Sequence, residues 1–135
     1  MGIVLDAFAL VAFFAGEPAA PDVRRILSSG DAAISTVNLA EASQHLIRRG
    51  AATTDELKQL VGSIPLVVVP FMEAHAWRAS DLRAQYYRRA DSAVSLADCC
   101  LVAVATTADR IATADAAVIR MAAAEGIGAL ELPQP

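Results

Sequence analysis

Short apolar runs, each closed by a turn signal, alternate along this chain with longer runs of helical period. Few folds accept that alternation. It predicts a parallel sheet covered by helices on both faces. Gly2–Leu5 reads as a first strand ending at Asp6. Ala7–Ala15 continues apolar to Gly16, too far for one strand, so it reads as a helix. Pro21 near a first turn places a short helix over Pro21–Ser28. Ala32–Ser35 is a second strand, followed by a helix from Asn38 to Arg49 that Gly50 stops. Thr54 caps a helix to Gly62, and Leu66–Val69, ended by Pro70, is a third strand. Glu73–Arg89 reads as a long Arg-bearing helix, and Ser95 opens a nearly all-apolar helix to Ala105. Ile111–Thr113 is a strand, Ala116–Glu125 a helix, and Leu130–Leu132 a last edge strand. The expectation is an α/β fold in one domain, residues 1–135, with a central, mostly parallel sheet of four to five strands. There is no repeat, linker or low-complexity segment, and the C-terminal Gln and Pro are expected to fray.

In such folds ligands gather at the carboxyl ends of the strands, which draws attention to the acids there. Asp6 directly follows Ile3-Val4-Leu5, next to the core, where an unpaired carboxylate is costly. It is either a helix cap or a site residue. Glu41, in Asn38-Leu39-Ala40-Glu41, fits a capping box with Asn38 as cap, or a catalytic role. Asp98, in Ser95-Leu96-Ala97-Asp98, repeats that ambiguity, but Cys99–Ala105 is apolar all round, so its helix is expected to be buried. Asp115, in Thr113-Ala114-Asp115, reads as an N-cap or a fourth acid of the site. Taken together they carry more than singly. A parallel sheet brings all four to one edge, where they repel one another and raise each other's pKa values. A divalent cation relieves that conflict, and magnesium or manganese prefers such oxygen ligands. Metal-assisted phosphodiester hydrolysis then needs neither a histidine base nor a serine nucleophile, which suits a chain with two histidines.

The ordered set Ile3-Val4-Leu5-Asp6, Val37-Asn38-Leu39-Ala40-Glu41, Ser95-Leu96-Ala97-Asp98 and Thr113-Ala114-Asp115 resembles the PIN-domain ribonucleases, especially VapC-type toxins of bacterial toxin–antitoxin pairs. The likeness in order and spacing covers essentially the whole chain; no single motif is specific. The resemblance implies a PIN α/β/α sandwich and a magnesium-dependent endoribonuclease, with manganese able to substitute. It implies Asp6, Glu41, Asp98 and Asp115 as the metal-holding catalytic set, with Asp115 at the family's most variable position. It also implies RNA as substrate, a small antitoxin that blocks the active site, and a second copy of the chain as partners. One position departs from the pattern. Many relatives carry a small hydroxylated residue two positions after the first Asp, and here it is Phe8. That departure keeps open an alternative, a non-catalytic PIN-like module that binds RNA or protein.

Composition bounds the rest. Hydrophobic residues make up 56% of 135 and mean hydropathy is +0.44, so an apolar surface used by partners is expected. No apolar run reaches the roughly eighteen residues of a membrane helix. The N-terminus lacks a basic region and Asp6 interrupts its apolar stretch, unlike a signal peptide. A cytoplasmic protein is expected. The net charge of −4 argues against sequence-independent binding of long nucleic acid. Yet ten of the eleven basic residues are arginine, the better side chain for bidentate phosphate contact. Arg78, Arg83, Arg88 and Arg89, with Trp77, Tyr86 and Tyr87, form either an RNA guide, a solvated helix face or a site for an acidic partner segment. His45 and Arg48 follow Glu41 at helical spacing and either touch RNA phosphate or simply face solvent. Thr113 either orients Asp115 or is an ordinary strand-end threonine. His75 is expected to be structural. Cys99 and Cys100 are adjacent, which speaks against a disulfide framework and for small buried apolar residues. An aspartyl-phosphate phosphatase would want a second acid where Phe8 stands, and a receiver domain would want an acidic pair at the first strand.

Overall fold

The computed structural model describes residues 2–135. The elements run β1 (Ile3–Leu5), α1 (Ala7–Ala15), α2 (Ala20–Ser28), β2 (Ala32–Ser35), α3 (Thr36–Arg48), α4 (Thr54–Gly62), β3 (Val67–Val69), α5 (Glu73–Tyr86), α6 (Leu96–Val104), β4 (Arg110–Thr113), α7 (Ala116–Ala124) and β5 (Gly128–Glu131). The five strands form one sheet in the order β3-β2-β1-β4-β5, and every pairing is parallel. The α/β expectation therefore holds, with a sheet that is wholly parallel.

Alternation along the strands sorts side chains to opposite faces. Val4 and Ile111 pack with α5, α6 and α7. Leu5 and Ala112 pack with α1 and α2, and Ile34 joins α1, α3 and α4. Helices thus cover both faces, as in an α/β/α sandwich. The strand order reverses at β1: the chain steps outward through β2 and β3, then returns to the other side of β1 as β4. A crevice opens outside the carboxyl ends of strands at such a switch point. Asp6 carries the β1–β4 ladder one step further, its N–H donating to Ala112 O at 3.1 Å.

Helix α6 is buried as its apolar sequence demands: Cys99 to Ala103 are all buried. Several boundaries differ from expectation by a few residues, the last strand running Gly128–Glu131 rather than Leu130–Leu132, and three at helices have identifiable causes. Helix α3 begins at Thr36, with Ser35 as its cap and Asn38 inside it. Thr53, one residue earlier than expected, caps α4. Helix α5 stops at Tyr86, because Tyr87 is extended and Arg88 pairs antiparallel with Ser92. The C-terminal residues do not simply fray. Leu132 is buried, and Gln134 Nε2 donates to Ala114 O at 2.5 Å. Among the described residues no helix is long and apolar enough to cross a membrane.

Candidate active site

Asp6, Glu41, Asp98 and Asp115 all line one cavity of about 660 Å³ at the switch point, with Asn38, His45, Arg49, Phe8 and Gln134 among its other walls. Four separate segments deliver the acids. Asp6 ends β1 and caps α1, its Oδ1 accepting from Ala9 N–H at 2.7 Å. Asp115 follows β4 and caps α7, its Oδ1 accepting from Ala117 N–H at 2.8 Å. Asp98 closes a capping box with Ser95: its Oδ2 accepts from Ser95 N–H at 2.9 Å, and its own N–H donates to Ser95 Oγ at 3.0 Å. Glu41 lies more than a turn inside α3, not in a capping box with Asn38, because Ser35 takes the cap.

Asn38, read from sequence as that cap, proves to be the support of the site. It is fully buried. Its Oδ1 accepts from the Ser35 hydroxyl at 2.8 Å, and its Nδ2 donates to Ala97 O at 3.4 Å. Its side chain also lies beside the Glu41 carboxylate and favours its ionised form. One amide thus ties β2, α3 and α6 together and steers Glu41. Thr113, also fully buried, supports the other side: its Oγ1 accepts from Asp115 N–H at 3.1 Å, and its hydroxyl lies beside Asp6 and favours its ionised form. Thr113 therefore serves both acids. Phe8, on α1, adds no polar group; it is half-buried against the cluster shared with α2 and forms part of the cavity wall.

The electrostatics follow from this crowding. Burial pushes the Asp6 carboxyl up to about 6, against the lowering effect of the Thr113 and Ala9 hydrogen bonds, with repulsion from Asp98 and Glu41 adding to the rise. Glu41 is raised by desolvation and by Asp98. Asp98 is raised by desolvation and by Asp115. The acids are therefore electrostatically coupled in a chain across the cavity. Among the described residues, no three His, Cys, Asp or Glu side chains stand close enough to form a ready-made ligand cage. The acids face one another across space. Cys99 and Cys100 are free and buried, and burial raises Cys99 to about 11, so it stays a thiol at neutral pH.

The other charged candidates separate clearly. His45 lines the cavity; Arg48 does not, and its neighbour Arg49 takes that place. Arg78 Nη1 donates to Ala103 O and Ala105 O, and Arg83 Nε to Val94 O. Arg88 folds back on Gln85 O and Tyr87 O. Arg78 and Arg83 of α5, and Arg88 just beyond it, thus each satisfy backbone carbonyls, which supports the structural reading of these three residues. His75 is structural: its Nδ1 accepts from Met72 N–H at 2.9 Å.

A parallel α/β domain with acids converging at its switch point is the class that the fold and site define. The chain belongs to the PIN domain family, whose pattern matches residues 3–127. A search of curated protein sequences finds no significant match. Solved structures resemble it over three quarters or more of its length. VapBC2 from Rickettsia felis, bound to a DNA fragment from its promoter, superposes with a TM-score of 0.72 at 14% identity, covering 98% of this chain and 100% of that one. DNA-bound VapBC from Salmonella typhimurium gives 0.66 at 19% identity over 97% of this chain and 98% of that one. VapC20 from Mycobacterium tuberculosis, described as a toxin cleaving the sarcin–ricin loop, gives 0.61 at 20% identity over 76% and 80%. At such identities the likeness is one of fold.

Proposed function

We propose that this PIN-domain protein is a metal-dependent endoribonuclease and the toxin of a toxin–antitoxin pair. The convergence of Asp6, Glu41, Asp98 and Asp115 on one cavity carries the reading. The carboxylates that burial and mutual repulsion raise need a countercharge, and a cation is the economical one. The donor set fits magnesium or manganese: hard oxygens in an open site, with the nearby thiols buried and neutral. The spacing of the acids suits an ion that keeps several of its waters. A divalent ion held there would supply Lewis acidity for phosphodiester hydrolysis at neutral pH. The chain's own work is to hold and orient. Asn38 aims Glu41, Thr113 aims Asp6 and the Asp115 backbone, and helix N-termini fix Asp6, Asp98 and Asp115. RNA is the proposed substrate.

Support for an antitoxin partner comes from the VapBC structures, which are complexes. Val67, Met72, Trp77 and Leu96, at 62%, 59%, 67% and 56% exposed, offer the apolar surface that an antitoxin or a second copy of the chain would cover. The test is RNA cleavage by purified protein with magnesium or manganese, compared with EDTA. Asp6→Ala and Asp98→Ala should each abolish it. Undiminished cleavage by both variants would remove the site assignment, and a non-cutting wild type with no magnesium-induced stabilisation would favour a binding module.

A further inference from the structure

The cavity has a second end, where its basic side chains stand. Helix α3 presents Glu41, His45 and Arg49 to the same opening, four residues apart, so they climb one side of the helix about 6 Å per step. Arg49 is the cap residue of α3, where Gly50 turns the chain at φ 69°. Opposite it, α1 ends at Gly16 with φ 67°, which brings Glu17 to the cavity mouth. Arg49 Nη1 donates to Glu17 Oε1 at 3.2 Å. Their side chains are 46% and 20% exposed.

This ion pair is not needed to hold α1 on α3. Leu10, Val11, Ala42 and Leu46 already do so from a buried cluster, and exposed pairs add little stability. Its position is what distinguishes it. The four acids give the floor a surplus of negative charge that one divalent ion only halves. A polyanion entering such a cavity needs a cation on the wall. Arg49 and His45 are the basic side chains lining it, and Glu17 engages one end of the guanidinium, leaving further N–H donors in the planar fork for phosphate.

We propose that Arg49, held in place by Glu17, binds an RNA phosphate next to the scissile one. The assignment rests on the ribonuclease reading and names a substrate contact within that site. Arg49 acts in binding, and Glu17 is a positioning residue.

Two measurements test it. In the cleavage assay, Arg49→Gln should raise KM about tenfold, as expected for a lost charge-assisted hydrogen bond, with kcat little changed. Arg49→Lys should recover part of the loss. In EDTA, a short fluorescein-labelled single-stranded RNA followed by anisotropy should bind Arg49→Gln more weakly. The slope of log affinity against log salt should be shallower by about 0.7, one phosphate contact on a single strand. Glu17→Gln should show a smaller rise in KM, also without loss of kcat. Equal RNA binding by wild type and Arg49→Gln, or none by either, overturns the assignment, as does a fall in kcat alone. An effect limited to binding of a protein partner would do so too. The magnesium-induced rise in Tm should be the same in Arg49→Gln and wild type. Its absence in wild type would bring down the metal-nuclease reading without touching the RNA-binding result.

Discussion

Replacing Asp6 with Asn is expected to stabilise the metal-free protein at neutral pH, the reverse of what most substitutions beside a core do. Burial raises the Asp6 carboxyl from 3.8 to about 6. Between those values the folded protein keeps a proton that the unfolded chain releases. The contribution of this group to stability is therefore most favourable below pH 3.8, declines as pH rises through the window, and levels off above about 6. At pH 7 the penalty is about 3 kcal/mol, at roughly 1.4 kcal/mol per pH unit. Asn remains a good helix cap for the Ala9 N–H but gives up one carboxylate acceptor, a cost of about 1 kcal/mol. The net gain is about 2 kcal/mol, or about 7 °C in Tm for a chain of this length. The assay is urea unfolding followed by circular dichroism in EDTA at pH 5 and pH 7. Wild type should lose stability between the two, and Asp6→Asn should lose much less. Glu41 and Asp98 are raised with the same sign, so a residual slope should survive. A variant no more stable than wild type at pH 7, with an unchanged pH dependence, would refute the account of Asp6 as a desolvated, uncompensated charge.

Magnesium should invert that order. At a hundredfold excess over its Kd it should stabilise wild type by about 2.7 kcal/mol, and calorimetry should find this gain absent in Asp98→Ala. Asn38→Ala leaves the Ser35 hydroxyl and Ala97 carbonyl short of a partner, so denaturant titration should show a loss of about 1–3 kcal/mol. RNA cleavage should also fall, although no carboxylate is removed. Arg78→Ala strips two carbonyls at the end of α6 of their donor and should cost about 2 kcal/mol, with RNA affinity unchanged by anisotropy. Cys99 and Cys100 should resist a thiol reagent at pH 8 until the protein is unfolded, since burial raises both thiols.

The sheet was legible because most of its strands are short apolar runs with an acid or turn residue at the carboxyl end, and parallel pairing then follows from the intervening helices. What escaped was local competition. Asn38 looked like a helix cap because asparagine is among the best caps. Ser35, three residues earlier, is equally good, and by taking that role it drew Asn38 into the first turn and into the core. The signal was present as a serine ending a strand. Tyr86-Tyr87 carries no glycine or proline, so the end of α5 had no marker; the Arg88–Ser92 pairing that ends it is a contact made by the folded loop. Arginine chemistry was illegible for a similar reason. A guanidinium that satisfies the last carbonyls of a helix has the same spacing in sequence as one that meets a phosphate, and only packing separates Arg78 from Arg49.

The capping and site readings of the acids, opposed in sequence, are complementary in the folded chain. Asp6 and Asp115 each give Oδ1 to a helix N-terminus, and Asp98 gives Oδ2 to the Ser95 N–H. A carboxylate has two oxygens and about four lone-pair sites. The cap occupies part of that capacity and fixes the plane of the group, leaving acceptor capacity toward the cavity. The helix dipole at each cap favours the ionised form, opposing the desolvation that raises Asp6 and Asp98. Glu41, with no N-terminus to hold it, depends on the Asn38 amide instead. The same residues can thus secure the helix starts that build the fold and supply a preoriented oxygen set. This predicts a split between two substitutions at Asp98. Asp98→Asn keeps an acceptor for Ser95 N–H and removes a carboxylate that burial raises, so in EDTA at pH 7 it should be at least as stable as wild type while losing magnesium binding. Asp98→Ala should lose magnesium binding and about 1 kcal/mol of helix stability as well. Equal stability of the two in EDTA would mean that the cap contributes nothing, and that the orientation of Asp98 must come from elsewhere.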